Sequence, residues 1–498
     1  MNPQELLSEN TQLKAENFIL KSNNIELQEH LNWLKRQLFG KRSEKLIEDK
    51  DIKQLKFEGF EVEKTKEKPS EIKPHKRKKP NKGADTIQIP DDLPIEKQTI
   101  DLPEDQKVIN GEPLKKIGEE TSSKLCYKPG SYYIKQIIRP KYKTPEGSIS
   151  TAELPDSLLP RCRADESLIA QIITQKYVDH LPLYRISEIL KRGDIHISRK
   201  TLCKWVNKAA SALKPLHEAL NKQILKSQNI FADETPIAML KPGNKKTHQS
   251  YMWVIVGGQS PNPSNRAYHF RTSRAHIHIH EILQNYQGNL HSDKYGAYQT
   301  LSKSPSITWM PCWAHIRRKF FESRPSEVAN EYLEKIRELF QYEELAWEQS
   351  PENRLTIRKK NQLPIIEELI ISAKNEISSG KHLPKSNLYK ALGYLLSLSP
   401  HLKNYLNKSE ARIDNNVAER AIRPLALGRK NWLFAGSEGG GENAAILLSL
   451  VQTCQAHKIN PQEYLEDIMR RIMGHNSQKL HELLPEAWAK EKAPPNTS

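Results

Sequence analysis

QNIFADETPIAML (residues 228–240) carries the strongest indication of this chain's architecture. Its apolar residues favour a buried strand that ends in an acidic residue, Asp233. Two further apolar stretches, SYMWVIVGG (250–258) and RAYHFRT (266–272), follow after polar loops and are typical of strands. The order predicts an antiparallel meander of three strands, with a carboxylate on the first of them.

The residues after this meander alternate between helices and strands. HEILQNYQ (280–287) predicts a helix, and GNLHSDKYGAY (288–298) predicts a short strand that ends in Asp293. SITWMPCWAHIRRKFFES (306–323) then predicts a strand that runs into a basic helix. This is the element order of an RNase H-like sheet, in which the first and fourth strands lie side by side. Asp233 and Asp293 would therefore converge, and their carboxylates could bridge two Mg²⁺ ions about 4 Å apart.

The third acid of such a site is expected on a later helix. Within RIDNNVAERAIRPLALGRKNWLF (412–434), Asn415, Glu419 and Arg423 recur every four residues and share one helix face. A carboxylate flanked by an amide and a guanidinium suits a metal ion and a phosphate. Since Mg²⁺ needs only a few protein carboxylates beside substrate phosphate, Glu419 completes the candidate set.

Two alternatives remain open at this helix start. Asn416 and Glu419 also match a capping box, in which Glu419 would serve only the helix N-terminus. Asp414 is a rival metal ligand, or it is the N-cap. Acidic residues are common in any chain, so two aspartates and a glutamate in this order carry little information by themselves.

The composition narrows the class of partner. The 498 residues include 77 Lys and Arg against 60 Asp and Glu, for a net charge of +17. This excess favours a polyanion, either nucleic acid or an anionic membrane surface. No stretch approaches the roughly 18 consecutive apolar residues of a membrane span. The N-terminus, MNPQELLSENTQLKAEN, lacks the regions of a secretory signal. We therefore expect a soluble cytoplasmic protein.

Residues 1–40 carry the clearest periodicity. A heptad repeat of leucines predicts a coiled coil, in which asparagines at the other core position would fix the register. The two sets are Leu6, Leu13, Leu20, Leu27 and Leu34, and Asn10, Asn17, Asn24, Leu31 and Leu38. The pattern predicts a homodimer or a higher oligomer. The alternative is an amphipathic helix packed on its own chain.

Two segments of different amino-acid composition follow. Residues 41–99 contain many Lys and Pro and few apolar residues, which predicts a basic disordered linker. Residues 100–160 alternate apolar and polar residues with Gly and Pro between them, which predicts a small β-rich module.

Residues 161–215 predict a helix-turn-helix region. Apolar residues recur at helical spacing, a glycine-containing turn separates the second and third helices, and Ser198 is a good N-cap for the third. This third helix carries Arg199, Lys200 and Lys204, which we expect to contact DNA in the major groove. Many helical hairpins bind nothing, but the overall positive charge favours DNA.

Four motifs occur in the following order: ADETP (232–236), HSDKYGAY (291–298), CWAHIRRKF (312–320) and DNNVAERAIRPLALGRKNWLFAGSEGGGENAA (414–445). In order and spacing they resemble the DDE transposases of the IS66 insertion-sequence family, and the last block is highly specific. Three further stretches, LKRQLFGKRSEKL (34–46), IGEETSSKLCYKPGSYYIKQIIRPKY (117–142) and HELLPEAWAKEK (481–492), look like the family's opening, small module and C-terminal tail. The resemblance spans nearly the whole chain.

The resemblance implies an RNase H-like fold and a polynucleotidyl transferase that uses two Mg²⁺ ions. Transferred by position, Asp233, Asp293 and Glu419 become the catalytic triad and the metal ligands. The reaction would be DNA cleavage and strand transfer at the terminal inverted repeats of an insertion sequence. The partners would be double-stranded repeat and target DNA and accessory proteins of the same element, at the nucleoid of a bacterial cytoplasm.

The small module departs from the family pattern. Family members usually carry cysteine pairs on both sides of the IGE segment, but this chain has VINGEPL (108–114) and KYKTPEGS (141–148) there. Tetrahedral zinc needs thiolate or imidazole ligands, and Cys126 and Cys162 cannot supply four. We therefore expect a zinc-finger-like module without structural zinc. The five cysteines of the chain include no CxxC pair, which fits a reducing compartment.

The catalytic domain is predicted over 222–475, with a C-terminal tail over 476–498. Apolar residues at helical spacing predict an all-α insertion at about 325–408. The insertion would close over DNA ends or support dimerisation, or it would be a purely structural cap.

Two basic clusters flank the acids in the sequence. They are Arg317, Arg318 and Lys319, and Arg420, Arg423, Arg429 and Lys430. Cations near a helix start favour phosphate, so we expect these clusters to contact DNA, although each residue alone could be a surface charge. Trp432 would stack on an unpaired base or, as the alternative, belong to the core.

Two other functions remain compatible with the sequence. The chain could be a catalytically silent relative that only binds DNA, or a metal-dependent nuclease. Joining of a DNA strand to a new target would distinguish a transposase from both.

Overall fold

The structure is a computed structural model. It describes residues 108–109, 112–113, 130, 132–133, 141–143, 149–151, 157–159, 162, 164–240, 247–260, 262–324 and 326–492. The chain divides into two units, Met1–Lys135 and Gln136–Ser498. The predicted coiled coil and the predicted basic linker lie outside the described residues.

Each unit contains one short pair of strands from the N-terminal part of the chain. In the first unit, β1 (Val108–Ile109) pairs antiparallel with β2 (Glu112–Pro113). In the second unit, β3 (Lys141–Lys143) pairs antiparallel with β4 (Ile149–Thr151). Both pairs fall within residues 100–160, where the sequence predicts β structure.

The rest of the second unit is mixed α/β with a helical majority. Its strands are β5 (Asn229–Leu240), β6 (Thr247–Gly257), β7 (Asn265–Arg271), β8 (Gly288–Ser292), β9 (Ile307–Pro311) and β10 (Phe434–Ala435). Its helices are α1 (Glu166–Tyr177), α2 (Leu183–Lys191), α3 (Arg199–Ile224), α4 (His276–Ile282), α5 (Gly296–Leu301), α6 (Trp313–Phe321), α7 (Glu327–Trp347), α8 (Pro351–Ile357), α9 (Leu363–Ser378), α10 (Asn387–Leu398), α11 (Asn416–Trp432), α12 (Glu438–Ala456), α13 (Pro461–Arg471) and α14 (Pro485–Lys492). A π-helical turn (Arg358–Gln362) and 3₁₀ turns (Asn404–Asn407 and Ser477–Leu483) connect some of them.

The sheet has the strand order β7-β6-β5-β8-β9. Strands β5, β6 and β7 are antiparallel neighbours, as the meander predicts, whereas β8 and β9 run parallel to β5. The first and fourth strands, β5 and β8, therefore lie side by side. The short strand β10 pairs with the far end of β5, where Phe434 lies opposite Ala238.

Two predicted boundaries are wrong. Strand β5 does not end at Asp233 but continues to Leu240, because its second half pairs with β6 throughout. The helix predicted over 280–287 is instead α4, which ends at Ile282. Asn285 follows with a φ of 65°, a left-handed conformation that cannot continue a helix.

Helix α3 joins the predicted DNA-reading region to the sheet. Ser198 caps it, because its hydroxyl accepts the Thr201 N–H at 3.1 Å. Apolar residues at helical spacing bury one face, and the helix runs without a break past residue 215 to Ile224. Near its C-terminal end, the His217 ring hydrogen-bonds to the Tyr268 carbonyl of β7 at 3.0 Å.

Helix α12 covers the outer edge of the sheet. Strand β7 is an edge strand, and its outward backbone amides need acceptors. Side chains of α12 supply them: Ser449 Oγ accepts the Tyr268 N–H at 2.8 Å, and Thr453 Oγ1 accepts the Arg266 N–H at 3.0 Å. The backbone amides at the β7 edge therefore find their hydrogen-bond acceptors within the same chain.

The described part of residues 325–408 is helical, from α7 to the 3₁₀ turn at Asn404–Asn407. Its centre is the fully buried guanidinium of Arg358, which pairs with Glu343. The same guanidinium donates to the carbonyls of Lys408 and Ala411, which precede α11. None of the helices in the described ranges is long and apolar enough to cross a bilayer.

Candidate active site

Asp233 lies on β5 and Asp293 directly follows β8, and these two strands are the parallel pair at the centre of the sheet. The first three residues of β5 pair with residues 60 positions later in β8, ending with Phe231 opposite His291. Asp293 directly follows the last residue of β8, and Asp233 lies two residues after the last β5 residue that pairs with β8. The Asp293 carboxylate accepts the Tyr295 N–H at 2.9 Å.

The environment of Asp233 is strongly acidic. Burial and the neighbouring charges of Glu234, Asp293 and Glu419 raise the pKa of Asp233 to about 8. The Glu234 N–H, which donates to Asp233 Oδ1 at 2.9 Å, opposes this shift. The charges of the other two predicted acids, Asp293 and Glu419, thus both act on Asp233.

Asn415 fastens the start of α11 to the sheet. Its Nδ2 donates to the carbonyl of Ala232 at 2.9 Å, beside Asp233 on β5. Its backbone N–H donates to Cys312 Sγ at 3.2 Å, at the N-cap of α6. These bonds place Glu419, in the first turn of α11, against both β5 and α6.

The alternatives for this helix start are resolved in part. Helix α11 begins at Asn416 itself, so Asn416 is not the N-cap of a capping box with Glu419. Asp414 accepts the backbone N–H of Asn416 at 3.1 Å and its side-chain amide at 2.7 Å. Asp414 thus satisfies backbone and side-chain donors at the helix start, and burial raises its pKa.

Two side chains of α6 lie beside Glu419. His315 Nδ1 lies 3.6 Å from Glu419 Oε1, and an Arg318 Nη lies 3.5 Å from Glu419 Oε2. The spacing of three residues puts both side chains on one face of α6. Burial lowers the pKa of His315, which favours its neutral form. The sequence singles out His315 and Arg318 by motif and charge, but it does not show that both face Glu419.

Glu234, adjacent to Asp233, is a buried acid that the sequence did not single out. The Glu234 side chain is 1% exposed and pairs with Arg274, with 2.5 Å between Nη2 and Oε1. Tyr298 donates its hydroxyl to the other oxygen of Glu234 at 2.7 Å. The available signal was a second acid within an otherwise apolar strand, but Arg274 and Tyr298 come from distant parts of the chain.

The predicted DNA-binding residues occupy three surfaces. Arg199, Lys200 and Lys204 are exposed on the N-terminal half of α3, and Arg420, Arg423 and Lys430 lie on α11. Arg317, Arg318 and Lys319 lie on α6, where Lys319 pairs with Glu322 at 3.0 Å. Arg429 differs from the rest, because its Nη1 donates to Thr235 and Pro236 of β5 and holds α11 on the sheet.

Trp432 packs inside the unit. Its ring meets Tyr177 of α1 edge to face, with the centroids 5.9 Å apart, and covers Gly428. These contacts agree with the alternative interpretation, in which Trp432 belongs to the core.

Comparisons with known proteins identify the family. Residues 161–443 match the model of the transposase IS66 family, residues 449–485 match the IS66 C-terminal element, and residues 26–97 match transposase C of IS166 homeodomain. Two relatives from Sinorhizobium fredii are described as uncharacterized proteins. The relative y4qI is 31% identical over 91% of this chain and 87% of its own length, and y4jD is 32% identical over 75% of this chain and 76% of its own length. The chain belongs to the IS66 transposase family.

Proposed function

We propose that this protein is a transposase that cleaves DNA at the terminal inverted repeats of an insertion sequence and joins the ends to target DNA. Asp233, Asp293 and Glu419 are the proposed catalytic residues. The proposal is supported by the parallel pairing of β5 with β8 and by the bond from Asn415, at the start of α11, to the Ala232 carbonyl beside Asp233, in a chain of the IS66 family.

An RNase H-like core is part of the proposal. It is supported by the strand order, in which an antiparallel meander of three strands carries two parallel strands on the side of the first. In such a sheet the first and fourth strands present their acids at one edge. The third acid arrives on a helix, as α11 does here.

The three acids fit a divalent cation. Carboxylate oxygens are the hard ligands that Mg²⁺ prefers, and substrate phosphate completes its coordination. The charges that raise the pKa of Asp233 are all negative, so a bound cation would relieve their repulsion. When bound, Mg²⁺ would activate the attacking oxygen and stabilise the leaving one.

The surrounding residues of this chain would orient the acids and hold DNA. Arg318 and His315 lie beside the Glu419 carboxylate, and Asn415 holds the helix start against β5. The cations of α11 would bind the phosphates that approach the acids.

DNA end recognition is proposed for α3. Its exposed Arg199, Lys200 and Lys204 would dock in the major groove, as in a helix-turn-helix. The predicted coiled coil would pair two protomers so that two element ends meet, with accessory proteins of the element as further partners. The proposed location is the bacterial cytoplasm, where the nucleoid supplies the DNA.

The test is a strand-transfer assay on labelled element-end DNA in Mg²⁺. Wild type should give products joined to target, and Asp293→Asn should give none. An Asp179→Asn control should retain activity, since Asp179 is exposed just after the end of α1. Hydrolysed ends without joined products would indicate a nuclease. Binding in a gel shift with no product of either kind would indicate a silent relative.

A further inference from the structure

A sulfur, a nitrogen and an oxygen ligand meet beside the proposed triad. One ligand atom each from Cys312, His315 and Glu419 lie within 4.8 Å of one another. Cys312 is the N-cap of α6, and His315 follows in its first turn. Glu419 comes from the first turn of α11. Two helix starts, fixed to each other through Asn415, thus bring these three side chains together.

The three groups have unused ligand capacity. Cys312 is 2% exposed, and its Sγ accepts the Asn415 N–H. His315 Nδ1 and Glu419 Oε1 are both buried, and within the described residues neither has a hydrogen-bond partner. They face each other at 3.6 Å. A bound ion is one of the explanations for buried polar atoms without partners.

The donor set differs from that of a magnesium site. A thiolate and an imidazole suit Zn²⁺ and related ions, whereas Mg²⁺ takes oxygen ligands. We propose that Cys312, His315 and Glu419 bind Zn²⁺ or another thiophilic divalent ion, which takes Glu419 away from the catalytic magnesium site. Three protein ligands leave one tetrahedral position for water. The Cys312 thiol releases its proton to solvent as the metal–sulfur bond forms.

Two parts of this proposal are separable. Binding of a thiophilic ion depends only on the three ligands. Inhibition by that ion rests on the proposed function, because it requires that Glu419 also serve catalysis. Zn²⁺ should therefore inhibit strand transfer in an excess of Mg²⁺, and Cys312→Ser, which removes the soft ligand alone, should be less sensitive to Zn²⁺.

Binding is tested with Co²⁺ as the spectroscopic probe, on the metal-free full chain. Wild type should develop a thiolate-to-cobalt charge-transfer band that Zn²⁺ abolishes and excess Mg²⁺ does not. Cys312→Ser should lack the band. Cys203→Ser, which removes an exposed cysteine of α3, is the matched control and should keep it. Glu419→Gln should weaken Co²⁺ binding by about tenfold or more, since even residues that only hydrogen-bond to a metal ligand contribute that much.

The outcomes separate this proposal from the proposed function. Absence of the band in wild type, or its persistence in Cys312→Ser, would overturn the metal site whatever the enzyme activity. The band could also behave as expected while strand transfer is insensitive to Zn²⁺. This result would overturn the proposal that the Zn²⁺ site and the catalytic magnesium site share Glu419. If Cys312→Ser fails to fold by circular dichroism, His315→Ala replaces it and should weaken Co²⁺ binding to a similar extent as Glu419→Gln.

Discussion

Ionisation of Asp233 lowers the stability of the folded protein. Its carboxylate is partly buried beside three other acids, and burial and their charges raise its pKa to about 8. In the unfolded chain the same group ionises near pH 4. Between these two values the folded state holds the extra proton, so the stability of the metal-free protein falls as the pH rises.

Removal of this charge should stabilise the protein. We predict that Asp233→Asn raises the free energy of unfolding by about 1–3 kcal/mol at pH 8 without divalent ions, and by less at pH 5. Urea unfolding in the presence of a chelator measures this. Asp179→Asn, at an exposed position just after α1, serves as the control and should change little. A variant that is less stable than wild type at pH 8 would contradict the repulsion inferred for this site.

At the residue scale, the predictable part of the site was the part that follows from strand geometry. The side-by-side placement of β5 and β8, on which the predicted meeting of Asp233 and Asp293 depends, was predictable from the order of the strands. The contacts of Glu234 were not predictable from the sequence, because its partners Arg274 and Tyr298 lie 40 and 64 residues away. The cluster of Cys312 and His315 with Glu419 likewise depends on how α6 and α11 meet, which no local pattern encodes.

At the element scale, the packing of α12 on β7 depends on one glycine. A Cβ on Gly441 would lie 2.5 Å from the Phe270 ring, which is buried in the core. Glycine is therefore required there for the close approach of helix and sheet. The sequence block GSEGGGENAA (436–445) shows three adjacent glycines, but composition does not tell which of them packs against a neighbouring element.

The first test at this scale exploits two glycines in the same helix. Gly441→Ala should destabilise the protein by about 1–3 kcal/mol, because the Phe270 ring must move. Gly439→Ala is the matched control, since a methyl group added there would meet nothing within 4 Å. Thermal and urea unfolding compare the two variants. Equal stabilities for both would show that α12 does not approach β7 so closely.

The helical insertion is tied to the site through Arg358. This buried guanidinium pairs with Glu343 at 2.5 Å and donates to carbonyls that lead into α11. The sequence predicted the helices of the insertion by periodicity. It did not predict the buried ion pair, because a charge at a core position is identified only once its partner is known.

We predict that Arg358→Met destabilises the protein by about 3–5 kcal/mol, because Glu343 would stay buried without its cation. Arg337→Met is the control, since Arg337 and Glu334 form an exposed pair on α7 whose loss should cost at most about 1 kcal/mol. Unfolding in urea gives both values. A small effect for Arg358→Met would show that the insertion does not depend on this pair.

At the scale of the whole molecule, α3 connects two proposed functions. Its N-terminal half exposes cations, and its C-terminal half packs on the sheet that carries Asp233. The sequence predicted the basic helix and the sheet separately. The sequence also predicted that the helix-turn-helix region ends at residue 215. Apolar periodicity shows which face of a helix is buried, but it does not show which element of the fold covers that face.

The proposed DNA binding by α3 predicts that affinity depends on salt concentration. Lys204→Ala should weaken binding to duplex DNA at all sequences and reduce the slope of log affinity against log salt concentration by about 1. Lys490→Ala is the control, because Lys490 is exposed on α14 and pairs with Glu486. Gel shifts or fluorescence anisotropy at several salt concentrations measure the slope. An unchanged slope in Lys204→Ala would exclude a phosphate contact by this residue.

The most direct test of the three-carboxylate site is strand transfer by three glutamate and aspartate variants on the same element-end DNA in Mg²⁺. Glu419→Gln should abolish joined products while retaining DNA binding in a gel shift. Asp414→Asn and the exposed Glu331→Gln should still form joined products. Joined products from Glu419→Gln, together with their loss in Asp414→Asn, would contradict the site and transfer the third ligand to Asp414.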